Sequence, residues 1–345
     1  MVHALRVLQP TSEPHSAVQV EQLTARSVRI SVTDRCDMAC VYCRPSRADG
    51  YIPAEDRLDV DEWESLVRGL IAAGVRRVRI TGGEPLLFRG IVDVVKRIHA
   101  LGVEDLAMTT NASRLAPLAK PLREAGLARI NVSIDSLDKA TFERLTRGGD
   151  LEEVLEGIDA ALAAGFDEVK TNTVVVRGEN DHEIEPLTRW AWSRGITPRF
   201  LELMGVGEGA KLFRTRGVSY AEMRAAVSHL LAEGDALVQT DRGPAKYVHS
   251  RDGKHRVGFI TGTTDTYCGS CDRLRATSDG VLRPCLSRND GVPVADVLDP
   301  AATPGARDAA VAERLIAAWS MKPDGNWKGC TEETAADVSM RATGG

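Results

Sequence analysis

From residue 28 to residue 204 the chain alternates short apolar runs with longer segments in which apolar residues return every three or four positions. In Asp61 to Ala73, for example, Trp63, Leu66, Val67, Leu70 and Ile71 share one face of a helix. Such segments close on a glycine followed by an apolar residue: Ala73-Gly74-Val75, Leu101-Gly102-Val103, Ala125-Gly126-Leu127, Ala164-Gly165-Phe166 and Arg194-Gly195-Ile196. A glycine there is the left-handed residue that stops a helix. The short runs, such as Val78 to Ile80 and Ile130 to Ile134, read as buried strands. A first strand over Val28 to Thr33 followed by five such cycles predicts six parallel strands ending near Met204. The fold class is therefore α/β, a partial (βα)6 TIM-like barrel with its chemistry at the strand C-termini. Beyond Leu231 the pattern shortens to strands over Ala245 to His249 and Arg256 to Ile260, then a helix from Gly305 to Trp319. The expected organisation is an arm over residues 1–24, the barrel over 25–235 and an extension over 236–345.

Polar residues gather where these strands end. Thr81-Gly-Gly-Glu-Pro85 follows the second strand, Thr109-Thr-Asn111 the third, and Ser133-Ile-Asp135 the fourth. Lys170-Thr-Asn172 belongs to the fifth and Arg199 to Met204 to the sixth. The loop after the first strand carries Cys36, Cys40 and Cys43, spaced Cys-x₃-Cys-x₂-Cys. Three thiolates are one too few for a closed zinc site or a fully ligated cubane cluster. The spacing thus suggests an iron-sulfur cluster with one iron left open, with a zinc knuckle using a distant ligand as the alternative. Tyr42 would cover the cluster face. A second trio, Cys268, Cys271 and Cys285, again offers three thiolates, and a zinc ribbon completed by Cys330 or a histidine stays open as its other reading. Arg273 and Arg275 point the same way if their segment is extended. Arg29, Arg79, Arg199 and Lys170 join them on strands that would face inward. The sequence offers these converging cations no matching acidic set, and phosphate is their natural counter-charge.

Composition narrows the function. At 345 residues and 43% hydrophobic content the chain can bury a full core, and a net charge of -5 without a Lys/Arg block excludes a nucleic-acid polymer as partner. No apolar run approaches the roughly 20 residues that span a bilayer, and residues 1–16 lack the apolar centre of a signal peptide. No membrane association is expected, and the expected compartment is the cytoplasm. Two cysteine trios and a single Cys330 point to metal ligation in a reducing environment, not to disulfides.

Cys-x₃-Cys-x₂-Cys with an aromatic before the last cysteine resembles the radical S-adenosylmethionine (SAM) superfamily. From Val28 to its last residue the chain further resembles the GTP 3′,8-cyclase family of molybdenum-cofactor biosynthesis. That likeness rests on Thr-Asp-Arg-Cys, Thr-Gly-Gly-Glu-Pro, Thr-Thr-Asn, Asn-Val-Ser-Ile-Asp, Gly-Pro-Ala-x-Tyr, Cys-x₂-Cys-x-Arg-x-Arg, Asp-Gly-x₄-Cys-Leu and a terminal Gly-Gly. The resemblance implies a barrel of the radical SAM type, two [4Fe-4S] clusters and SAM as cofactors, and a C-terminal extension holding the second cluster. It implies conversion of GTP to (8S)-3′,8-cyclo-7,8-dihydroguanosine 5′-triphosphate, with SAM cleaved to a 5′-deoxyadenosyl radical that takes the ribose 3′ hydrogen. By position, Cys36, Cys40 and Cys43 would hold the SAM-cleaving cluster, and Tyr42, Gly83, Ser133 and Met204 would contact SAM. Cys268, Cys271 and Cys285 would hold the other cluster. Arg29, Arg79, Thr109, Lys170, Arg273, Leu274 and Arg275 would bind GTP, and Arg199, Arg273, Arg275, Gly344 and Gly345 would serve catalysis. The implied partners are an electron donor and a downstream cyclic pyranopterin monophosphate synthase, with room for a homodimer. Arg44, Ala112, Ser287 and Thr343 depart from the family pattern without removing a ligand. They leave open a paralogue acting on another nucleotide or a peptide, and, outside enzymes, a zinc-stabilised nucleotide-binding protein.

Overall fold

The structure is a computed structural model that describes residues 25–44, 50–234, 238–239, 243–323 and 340–343. The expected arm, Cys330, Gly344 and Gly345 lie outside the described residues. The strands are β1 (Ser27–Ser31), β2 (Arg77–Thr81), β3 (Asp105–Thr110), β4 (Arg129–Ser133), β5 (Glu168–Val175), β6 (Thr197–Glu202), β7 (Val238–Gln239), β8 (Lys246–His249), β9 (Arg256–Ile260), β10 (Arg273–Ala276), β11 (Val281–Arg283) and β12 (Val292–Pro293). The helices are α1 (Val60–Ala72), α2 (Ile91–Ala100), α3 (Ala119–Glu124), α4 (Lys139–Thr146), α5 (Leu151–Ala164), α6 (Ile184–Ser193), α7 (Gly209–Arg216), α8 (Tyr220–Ala226), α9 (Pro304–Ser320) and α10 (Met340–Thr343).

Strands β1 to β6 pair in parallel and in sequence order, as the hydrophobic pattern predicts. Gly74, Gly102, Gly126, Gly165 and Gly195 all hold positive φ, between 71° and 103°. The sheet is wider than the six strands expected of the barrel: among the described residues it has twelve, in the order β12-β11-β10-β1-β2-β3-β4-β5-β6-β9-β8-β7. Both additions come from the C-terminal part. Strand β10 lies parallel to β1, and β9 lies parallel to β6.

Alternation along each strand assigns the two faces. Val28, Ile30, Val78, Ile80, Met108, Ile130 and Val132 are buried with Trp63, Leu66 and Leu70 of α1 and Val95 and Ile98 of α2. Arg29 and Arg79 alternate with these residues and line the inner face. A capping box closes the start of α1, with Asp59 accepting from the Glu62 backbone and Glu62 from that of Asp59. Helix α9 crosses α1 at Gly69, where an added Cβ would lie 2.6 Å from Val311 Cβ. A second apolar cluster, with Phe200, Phe259 and Met223 at its centre, seats α8 beside β6 and β9. Among the described residues no helix is long and apolar enough to cross a membrane.

Ala112 has φ 63°, a conformation that favours glycine, at a position where the resemblance calls for glycine. A left-handed alanine costs about 1 kcal/mol or more. The Ala112→Gly variant is therefore expected to gain up to about 1 kcal/mol in urea unfolding, the freer unfolded chain taking back part of the benefit. A loss of stability would show that the buried Ala112 methyl outweighs the backbone strain.

Candidate active site

The first cysteine loop leaves β1 and is clamped by the glycine turn that leaves β2. Gly83 N donates to Thr33 O at 2.6 Å and Glu84 N to Arg35 O at 2.7 Å. A Cβ on Gly83 would stand 2.3 Å from Arg35 O, so the close approach requires glycine. Buried Glu84 joins the next loop to this pair. It accepts from Leu86 N at 3.0 Å, Thr110 Oγ1 at 2.6 Å and Asn111 N at 2.7 Å. Burial pushes its carboxyl up to about 7, although these hydrogen bonds pull it down. Asn111 Nδ2 and Ser113 Oγ then donate to the two carboxylate oxygens of Asp37, each at 2.7 Å.

Across the loop, the Tyr42 hydroxyl donates to buried Asp135, whose other oxygen accepts from Val174 N at 2.9 Å. Burial raises the Asp135 carboxyl to about 6. Ala39 N and Val41 N donate to carbonyls of Thr146 and Leu145 in α4, so the cysteines ride on a loop fixed from both sides. Cys36, Cys40 and Cys43 are half-buried and belong to no disulfide among the described residues. Burial pushes Cys36 up to about 12 and lifts Cys40 well above the usual thiol range. These thiols would ionise only as metal ligands. Ser133 ends β4 half-buried. Arg44, one of the departures, is buried and donates to the Tyr51 hydroxyl at 2.7 Å.

Below this loop lies a cavity of about 1190 Å³, including its open mouth. Register explains its charge. Arg29 is the direct neighbour of Arg275 on one side and of Arg79 on the other, so three guanidiniums stand abreast on β10, β1 and β2. Lys170, Arg199, Arg273, Thr109 and Met204 line the same space. Like charges placed side by side repel. Burial, with Arg275, Arg273 and Arg79 nearby, holds Arg29 well below the usual guanidinium value; burial with Arg199 and Arg129 brings Arg79 down to about 10, and burial with Arg273 does the same to Arg275.

The sequence-based expectation of no acidic counterpart is corrected in part. Glu168 pairs with Lys170 at 2.8 Å and with Arg256, Asp105 pairs with Arg129, and Asp272 pairs with Arg77. These carboxylates sit at the starts of strands and neutralise the floor. In the row Arg275-Arg29-Arg79, neither Arg29 nor Arg79 forms an ion pair with a carboxylate among the described residues. Asn172 Oδ1 and Arg199 Nε are buried in the cavity lining without a hydrogen-bond partner there, as befits a site built for a polar ligand. Leu274 differs from its neighbours. Its side chain is fully buried in the apolar core on the opposite face, so only its backbone is on hand for a substrate.

The cavity continues past Met204, Arg273 and Arg275 into a second hollow lined by Cys268, Cys271 and Cys285. Arg273 and Lys322 hold the Cys271 thiol below its usual range despite burial. Ser287, another departure, sets its hydroxyl 3.3 Å from Cys285 Sγ. Among the described residues no three His, Cys, Asp or Glu are grouped around a single-ion position. Two sets of three thiols, the second lining the smaller hollow, fit cluster ligation chemically. Helix α10 reaches back to the same cavity. Met340 lines it, and the carbonyl of buried Thr343 accepts from Arg275 Nη1 at 2.8 Å.

Thr109, Lys170, Arg199 and the arginine pair after Cys271 thus share one cavity with Met204. Tyr42 and Gly83 belong to the loops above, and no described cavity joins Ser133 to them. Sequence reasoning passed over Asn131, which accepts from Arg199, and Tyr247, whose ring lies under Arg256 at 4.6 Å. The sequence signal that marks Tyr247 is Gly-Pro-Ala-x-Tyr.

Residues 30–191 match the family described as the Radical SAM superfamily, and residues 196–327 match Molybdenum Cofactor Synthesis C. The chain is 40% identical over 299 residues to the GTP 3′,8-cyclase of Pelotomaculum thermopropionicum, covering 86% of this chain and 91% of that one. It is 37% identical over 322 residues to that of Marinobacter nauticus, covering 93% and 96%. Among solved structures, Streptococcus suis SuiB bound to S-adenosylmethionine superposes with a TM-score of 0.58 at 16% identity, over 76% of this chain and 60% of that one, a likeness of fold. With both halves matched and the cysteine loops in place, the chain belongs to the GTP 3′,8-cyclase family of radical SAM proteins.

Proposed function

We propose that this chain binds GTP and SAM and converts GTP to (8S)-3′,8-cyclo-7,8-dihydroguanosine 5′-triphosphate, in molybdenum-cofactor biosynthesis. The observation that carries this reading is the row Arg275-Arg29-Arg79 abreast in one cavity, with Lys170 and Arg199 facing the same space. A triphosphate concentrates several negative charges and many acceptor oxygens in one short group, which suits guanidiniums set this close better than the scattered carboxylates of a peptide. The SAM-cleaving cluster would sit on Cys36, Cys40 and Cys43, and a second cluster on Cys268, Cys271 and Cys285 where the cavity narrows. When bound, the first cluster and SAM supply the one-electron chemistry that opens the reaction.

The chain's own residues do the rest. The Gly83 turn holds the cysteine loop in place, and Met204 stands between the two hollows. The guanidiniums anchor the phosphates at the cavity's cationic side, which leaves the base to extend towards Cys268, Cys271 and Cys285. Thr109, Asn172 and Arg199 offer polar contacts between these ends. Gly344 and Gly345 follow directly on α10, and we assign them a part in the chemical step. An electron donor, a consuming synthase and a homodimer complete the proposal.

Anaerobic incubation of the reconstituted protein with GTP, SAM and dithionite is expected to yield the cyclised nucleotide and 5′-deoxyadenosine together. Cleavage of SAM with GTP left unchanged would overturn the substrate. Zinc without iron at the second trio would overturn the second cluster.

A further inference from the structure

The second trio is split between two separate pieces of backbone. Cys268 and Cys271 precede β10, whereas Cys285 follows β11. Strands β10 and β11 pair only at Arg275 with Arg283 and Ala276 with Leu282, beyond the cysteines. The backbone nearest the thiols therefore needs another tie. Lys322, just past the end of α9, supplies it: Nζ donates to Arg273 O at 2.7 Å and to Pro284 O at 3.1 Å. One carbonyl lies two residues after Cys271, and the other belongs to the residue before Cys285. The ammonium is itself steadied over the Trp319 ring, 5.1 Å from its centroid, and it lines the hollow with the three cysteines.

We propose that Lys322 is a positioning residue for the second cluster, fixing Cys285 against Cys268 and Cys271 while placing a positive charge beside the cluster. The inference rests on the two-cluster reading above. Two hydrogen bonds from a charged donor hold the strands at the spacing a ligand needs, and each is of the stronger kind. The charge acts separately. A cluster carried on three thiolates gains an electron more readily beside a cation, so removing the ammonium makes reduction harder.

The test uses full-length protein carrying Cys36→Ala, Cys40→Ala and Cys43→Ala, so that only the second site can hold iron. Lys322, Lys322→Met and Lys322→Arg forms are reconstituted anaerobically, then compared for iron content, iron loss to a chelator and midpoint potential followed by electron paramagnetic resonance. Methionine keeps length and packing without the donors or charge, and circular dichroism checks that each form folds. Lys322→Met is expected to lose iron about tenfold faster or more, from the loss of charge-assisted bonds, and to reduce at a more negative potential. Lys322→Arg should restore the potential. Unchanged iron loss and potential in Lys322→Met would overturn the assignment, as would equal shifts in the Met and Arg forms. If the parent triple variant takes up no iron at all, the second-cluster reading fails and the role of Lys322 falls with it.

Discussion

Replacing Cys36, Cys40 and Cys43 together by alanine is expected to abolish SAM cleavage and to lower reconstituted iron from about eight to about four per chain. Both readouts follow from where the thiols sit. They are the sulfur donors of a loop that is otherwise held by backbone: Gly83 and Glu84 grip Thr33 and Arg35, and α4 grips Ala39 and Val41. Removing the sulfurs leaves those ties intact, so the variant should keep its circular dichroism spectrum while losing the cluster. The second trio lies beyond Met204 in its own hollow and should load independently. Retention of eight irons, or any SAM cleavage by the variant, would place the catalytic cluster elsewhere.

Arg79→Met should move two measurements in opposite directions. Without nucleotide the variant is expected to melt at a higher temperature than the parent at neutral pH. The guanidinium is buried among other cations and held down to about 10, so the fold carries it charged at a cost of roughly 3 kcal/mol. The sign follows from linkage. A base whose folded value is lowered opposes folding at every pH below that value, and the penalty fades as pH climbs through 10 towards the unfolded value. Near pH 7 the whole penalty is present, and methionine removes it. With GTP the order reverses: one charge-assisted phosphate contact, worth about 1.5 to 3 kcal/mol, is lost and affinity should fall roughly tenfold or more. Guanosine affinity should hardly change. A variant that weakened GTP and guanosine alike would remove Arg79 from the phosphate site.

What the sequence made legible was mostly local. The glycines that end helices and the apolar triplets that follow them depend on neighbours a few residues away, and all five cycles are found as β2 to β6 with their helices. Cysteine spacing on one loop is equally local. What stayed hidden depends on pairing across long stretches of chain. Arg29 and Arg275 are 246 positions apart in sequence and become neighbours only because β10 docks on β1. Glu168 stands two residues before Lys170 on one strand face, a pairing that local alternation could have shown, whereas its match to Arg256 required β9 to be placed beside β6. Glu84 lay in view inside a quoted motif, but its hold on Thr110 and Asn111 requires the β2 and β3 loops to meet. Leu274 was carried along with its arginine neighbours, and strand alternation alone sends it to the other face.

The late strands have a bearing on how the chain is made. Strands β1 and β6 are the outer members of the first parallel set, and each waits for a partner, β10 or β9, encoded after residue 255. As the polypeptide leaves the ribosome, the nascent sheet therefore presents two bare parallel edges until nearly three quarters of the protein has emerged. Such edges invite pairing with other chains, and parallel closure over so long a separation is slow. An aborted translation product ending near Glu202 would have every residue of the first cysteine loop and neither edge covered. Quality control in the cell would meet it as an adhesive fragment, not as a smaller working enzyme.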